Sequence, residues 1–60
     1  MTIDMYAVYD KDGMMVYSGE WFEEAFRAYR KHPGASLLSF EPKEQWYGLY
    51  RADGHWERYP

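Results

Sequence analysis

Two Asp-Gly pairs, Asp12-Gly13 and Asp53-Gly54, constrain this chain more than any other feature, because each stands between two runs of strand-forming residues. Asp-Gly in that setting is the strongest short-range hairpin signal, since a type I′ turn needs positive φ at both central positions. Met5-Tyr6-Ala7-Val8-Tyr9 precedes the first pair and Met14-Met15-Val16-Tyr17 follows it, which predicts strands over 3–9 and 14–18. Around the second pair the same reading predicts strands over 45–51 and 55–59. The two segments also match each other at a constant offset of 41 residues, Tyr6-Ala7-Val8-Tyr9-x-x-Asp12-Gly13 against Tyr47-Gly48-Leu49-Tyr50-x-x-Asp53-Gly54. Convergence on good hairpin chemistry accounts for this better than duplication, and two units are too few for a solenoid.

Between the hairpins the period changes. Phe22, Ala25, Phe26 and Tyr29 fall at i, i+3, i+4 and i+7, which makes one apolar stripe on a helix. Glu20, Glu23 and Glu24 precede Arg27, Arg30, Lys31 and His32, a polarity that complements the helix dipole, and Pro33-Gly34 stops the helix. Ser36-Leu37-Leu38-Ser39-Phe40-Glu41 then reads as a strand and Pro42-Lys43-Glu44 as a turn. The predicted order is ββαβββ. It describes one α+β domain over residues 1–60, an antiparallel sheet of four to five strands with one amphipathic helix packed on one face.

A chain of 60 residues without cysteine and with two histidines, His32 and His55, has no disulfide and no recognisable zinc site to reinforce so small a core. Its resource is aromatic: three Trp, three Phe and seven Tyr, with 22% aromatic and 47% apolar residues, enough to bury against the entropy of ordering. The formal charge of −3 repels phosphate backbones, so nucleic acid is a disfavoured partner. Met1-Thr2-Ile3-Asp4 has neither region of a signal peptide and no apolar run is long enough for a membrane span, so no membrane association is expected. Cysteine-free composition fits a cytoplasmic location.

Faces follow from the turns. With a two-residue loop at Asp53-Gly54, Arg51 lies opposite Trp56, so Tyr47, Leu49, Arg51, Trp56 and Arg58 share one face, and Trp46, Gly48, Tyr50, His55, Glu57 and Tyr59 the other. The same rule groups Tyr6, Val8, Met15 and Tyr17 against Met5, Ala7, Tyr9, Met14 and Val16. Since one helix covers one face, Phe22, Phe26 and Tyr29 are expected over a core of Tyr6, Val8, Met15, Leu49 and Trp56. Tyr9, Trp46, Tyr50 and Tyr59 are then left outward as a candidate binding patch. A one-residue change in loop length reverses one strand of a ribbon, so this assignment hangs on the turns.

No catalytic set emerges. Ser18, Ser36 and Ser39 lie in no nucleophile motif, and no glycine loop cradles phosphate. A calcium loop at Asp10-Lys11-Asp12-Gly13 would need acids where Val8 and Gly19 stand. Adjacent Glu23 and Glu24 diverge by about 100° on a helix. His32 is expected at the helix C-terminus and His55 beside its turn. The expectation is a non-catalytic, cofactor-free module that docks on a larger protein or complex as inhibitor, adaptor or accessory subunit. Acidic domains of this size are often phage or mobile-element inhibitors of host machinery, in which Asp10, Asp12, Asp53 and Glu57 would imitate phosphates. The alternatives are a single-stranded nucleic-acid binder that stacks bases on the aromatic face, and a homodimeric structural protein.

Overall fold

The computed structural model describes residues 5–59. Its elements come in the expected order: β1 (Tyr6–Tyr9), β2 (Met15–Gly19), α1 (Phe22–Lys31), β3 (Ser36–Glu41), β4 (Trp46–Tyr50) and β5 (Trp56–Tyr59). The fold is α+β, one five-stranded antiparallel sheet in the order β2-β1-β3-β4-β5 with one helix. Residues 3 and 4, expected in the first strand, lie outside the described residues. Among the described residues no helix is long and apolar enough to cross a membrane.

Topology decides how much of the sheet the helix can cover. β2 and β3 are both antiparallel to β1 and lie on its two sides, so they are parallel to each other and their connection must pass over β1. That connection is α1. Its backbone approaches β1, β2 and β3 and not β4 or β5. The buried core beneath it is correspondingly small, consisting of Val8, Ala25, Ala35 and Leu37, with Tyr6, Val16, Tyr17, Ala28 and Tyr29 packed around them. The helix therefore seats through its alanines. Phe22 and Phe26, expected over the sheet, stay 45% and 38% exposed along the helix flank.

Both hairpin loops are one residue longer than a type I′ turn. The Asp10 amide donates to the Met14 carbonyl and the Gly13 amide back to Asp10, and the Arg51, His55 and Gly54 backbones repeat the pattern. Gly13 and Gly54 take φ of 84° and 88°, while Asp12 and Asp53 have negative φ. This is a type I turn closed by a left-handed glycine, the usual three-residue hairpin loop. The extra residue moves every pairing by one: Tyr50 faces Trp56, Gly48 faces Arg58 and Tyr47 faces Tyr59. Trp56 and Arg58 consequently share a face with Trp46, Gly48 and Tyr50, and Glu57 and Tyr59 share one with Tyr47 and Leu49, which reverses the expected grouping.

In the first hairpin a β-bulge undoes the shift. Tyr9 pairs with Met15, but Val8 pairs with Tyr17, so Val16 is the extra residue. Tyr17 thereby returns to the face of Tyr6 and Val8 as expected. Met15 joins Tyr9 on the far side and is 56% exposed, and Val16 leans on the core instead of away from it. Of the five expected core residues, Tyr6 and Val8 hold their places. Met15 and Leu49 belong to the uncovered face, and Trp56 is 41% exposed beyond the reach of the helix.

Candidate functional site

Because α1 spans only three strands, β4 and β5 extend past it on the same side, and the side chains they present there form a groove with the helix flank. One wall is an aromatic row: the Tyr6 and Phe22 rings meet edge-on at 5.5 Å, Phe22 stacks on Phe26 at 5.6 Å, and Phe26 on Tyr29 at 5.8 Å. The other wall is the hairpin. Trp46 and Trp56 stand perpendicular with centroids 6.2 Å apart, and Tyr50 leans on Trp56 at 6.2 Å. Arg58 lies over Trp46 at 5.2 Å, a cation–π contact.

The floor is low because its residues are small. A Cβ added at Gly48 would come within 2.9 Å of both Ser39 Oγ and Trp56 Nε1, so the indole of Trp56 lies directly on the glycine backbone. At one end the Tyr29 hydroxyl donates to the Arg51 carbonyl at 2.5 Å and ties the helix to the hairpin loop. Toward the other end a hollow of about 220 Å³ opens between Tyr6, Phe22, Trp46, Tyr50 and Trp56, with Ser39 beneath and Glu41 at its edge. Glu41 accepts the Lys43 amide at 3.1 Å, and Glu44 accepts the Trp46 indole N–H at 2.9 Å.

Among the described residues the opposite sheet face carries no helix. Ala7, Leu38 and Leu49 lie side by side across three strands, and Phe40 rests against Tyr47 at 4.9 Å above a second hollow of about 210 Å³. At its β5 edge Arg51 Nε binds Glu57 Oε1 at 2.7 Å, the Tyr59 hydroxyl donates to the other Glu57 oxygen, and Arg51 reaches Tyr59 at 3.4 Å. Bonds first from Arg51 and then from Tyr59 hold the Glu57 carboxyl down at about 2, and the bond to Glu57 raises Tyr59. The Arg51 and Glu57 side chains are 49% and 31% exposed, so solvent screens the pair and its geometry is more notable than its strength.

No protein-family model, curated protein or solved structure matches the chain.

The site must therefore be judged on its own residues, and those singled out by sequence fall in three places. Trp46 and Tyr50 form the hairpin wall of the groove. Tyr9 and Tyr59 lie on the opposite face, so the four expected anchors do not make one patch. Asp10 Oδ1 accepts the Asp12 and Met14 amides at 2.9 Å each, and Asp53 Oδ1 accepts the His55 amide at 2.9 Å, so each carboxylate shapes its turn through one oxygen. Asp12 is exposed beside them, and Glu57 is held by Arg51 and Tyr59. His32 caps the helix, its amide bonded to the Ala28 carbonyl, and His55 follows its turn, 3.6 Å from Glu57. Sequence reasoning missed Tyr6, Phe22, Trp56 and Glu41 as groove residues. The signal for Trp56 in its own loop, Arg51-Ala52-Asp53-Gly54, is only that Gly at the fourth position suits a type I turn closed by a left-handed glycine as well as type I′.

Proposed function

We propose that the chain is a non-catalytic, cytoplasmic protein-binding module that docks on a larger protein or complex, as an inhibitor, adaptor or accessory subunit, through the groove between α1 and the β4–β5 hairpin. The observation that carries this reading is the gathering of Tyr6, Phe22, Trp46, Tyr50 and Trp56 around one hollow that the fold itself leaves uncovered. Tyr and Trp offer large, rigid contact area and dominate binding hot spots. The exposed rings of Phe22, Tyr50 and Trp56, in a domain whose described residues include four buried apolar ones, represent burial that a partner would complete.

The test is affinity capture from native lysate by the wild-type chain and by Tyr50→Ala/Trp56→Ala, with circular dichroism to verify that both fold. A partner retained by the wild type and lost by the folded variant supports the reading. A partner held equally by both removes the groove from it.

A second reading, binding of single-stranded nucleic acid, is favoured by Arg58 lying on Trp46 beside Tyr50 and Trp56, a stacking platform with a cation. The carboxylates of Glu41 and Glu44 around the same rings oppose phosphate. Oligonucleotide affinity that falls steeply with salt would favour this reading, and none at low salt removes it.

A further inference from the structure

We propose that the groove is a receptor for a basic side chain, an arginine or lysine on an extended segment of the partner, whose charged head meets Glu41 while its stem lies between the aromatic walls. The inference rests on the docking reading and specifies its ligand. Size comes first. A hollow of about 220 Å³ is below the roughly 300–1,000 Å³ of small-molecule pockets. It is also smaller than one turn of a helix about 10–12 Å across. It suits a side chain and the short backbone that bears it.

Chemistry selects which side chain. Rings on both walls attract a cation through their faces and accept the methylene stem of Lys or Arg by apolar contact. Arg58 on Trp46 and Arg30 on Phe26 are instances of this pairing within the groove walls, and because they occupy those rings, Tyr6, Phe22, Tyr50 and Trp56 are the rings left for a ligand. Glu41 gives one contact to the Lys43 amide, and a carboxylate has about four acceptor sites, so it retains capacity for a charged donor.

The field points the same way. β2 runs into α1, and β3 into β4, at one end of the sheet, so Glu20, Glu23, Glu24, Glu41 and Glu44 gather there against Lys43 and Arg58. Lys31 and His32 are carried to the far end by the helix, where the hairpin loops also place Asp10, Asp12 and Asp53, while Arg30 lies over Phe26 at 5.9 Å on the helix wall. The end of the sheet where the hollow opens thus carries more acids than bases in a chain of net charge −3, and its field would steer a cationic segment toward that end, where Glu41 is the carboxylate at the hollow itself.

The experiment titrates the ¹⁵N-labelled full chain with a capped Ala-Pro octapeptide containing two arginines and, separately, with the same peptide containing two glutamates. The indole N–H signals of Trp21, Trp46 and Trp56 are followed. The arginine peptide should move Trp46 and Trp56 but not Trp21, with affinity that weakens as salt rises, and the glutamate peptide should move none. Glu41→Gln should weaken binding about tenfold. Lys43→Glu, an exposed change that leaves the groove lining intact, should tighten it. Equal response to both peptides, unchanged affinity in Glu41→Gln and Lys43→Glu, or no response to arginine overturns the proposal. So does a response to an oligothymidylate in place of the peptide. If arginine has no effect but Tyr50→Ala/Trp56→Ala still loses its captured partner, the basic-ligand inference falls and the docking reading stands. If the partner too is retained, both fall.

Discussion

At Gly48, between Trp46 and Tyr50 in β4, any side chain would collide with the Trp56 ring that builds the groove. The glycine's backbone torsions are ordinary, so the constraint is space: a Cβ would lie 2.9 Å from Trp56 Nε1 and from Ser39 Oγ. Trp56 is 41% exposed, so its indole is the group that can give way toward solvent. Gly48→Ala should thus cost only about 1–3 kcal/mol in stability while displacing the indole. Tryptophan fluorescence of the folded variant should shift to the red, and arginine-peptide binding should drop more than thermal stability does. At the other edge of the hairpin, Glu57 makes a prediction about pH. Its folded carboxyl sits near 2 against an ordinary 4.5, so the Arg51 and Tyr59 contacts contribute above pH 4.5 and are lost progressively as the pH falls from 4.5, where the unfolded chain takes up the proton, toward 2. The melting temperature of Glu57→Gln should lie below that of the wild type by a constant amount above pH 5, with the gap closing between pH 4.5 and 2. A gap independent of pH would mean that the contact does not persist in solution.

At the scale of elements, the connection between helix and second hairpin is the weak seam. α1 meets β1, β2 and β3 through its backbone face but reaches the β4–β5 hairpin region by the Tyr29 hydroxyl on Arg51. Tyr29→Phe should cost about 1 kcal/mol. It should also speed amide exchange in β5 more than in β1, because the hairpin can then open without unseating the core. Uniform acceleration would show that hairpin and core unfold as one unit. The same elements explain what the sequence makes readable. The order of elements along the chain, the helix and both reversals follow from local patterns that each segment carries alone: alternation, the i, i+3, i+4, i+7 stripe, and Asp-Gly. Loop length does not, because Asp-Gly is compatible with two-residue and three-residue loops, and the choice shifts the partner strand by a residue. In the first hairpin the Val16 bulge absorbs that residue. In the second nothing does, and Trp56 turns from expected core to groove wall. The groove itself follows from a fact of connectivity, the crossing of β1 by α1, which no local pattern encodes.

For the whole molecule the asymmetry of the sheet's two faces is the central energetic fact. Leu37 and Leu38 are neighbours in β3 and point to opposite faces. Leu37 is fully buried beneath the helix with Val8 and Ala25, while Leu38 is half-buried between Ala7 and Leu49 on the face without a helix. Truncating a buried leucine costs about 2–5 kcal/mol, against a total stability of roughly 3–9 kcal/mol for a domain of this length. Leu37→Ala should accordingly unfold much of the population at 37 °C, and Leu38→Ala should cost only about 1 kcal/mol, both measured by urea unfolding. The comparison tests which face is the core without reference to any partner. It also discriminates between uses of the aromatic surplus. If Leu38→Ala proves as costly as Leu37→Ala, and the melting temperature rises with protein concentration, a second copy of the chain covers the bare face and part of its stability is that of a dimer. If Leu38→Ala is mild and the melting temperature is independent of concentration, one small core beneath α1 holds the monomer, and the bare face and the groove are surfaces that the fold can present without depending on them.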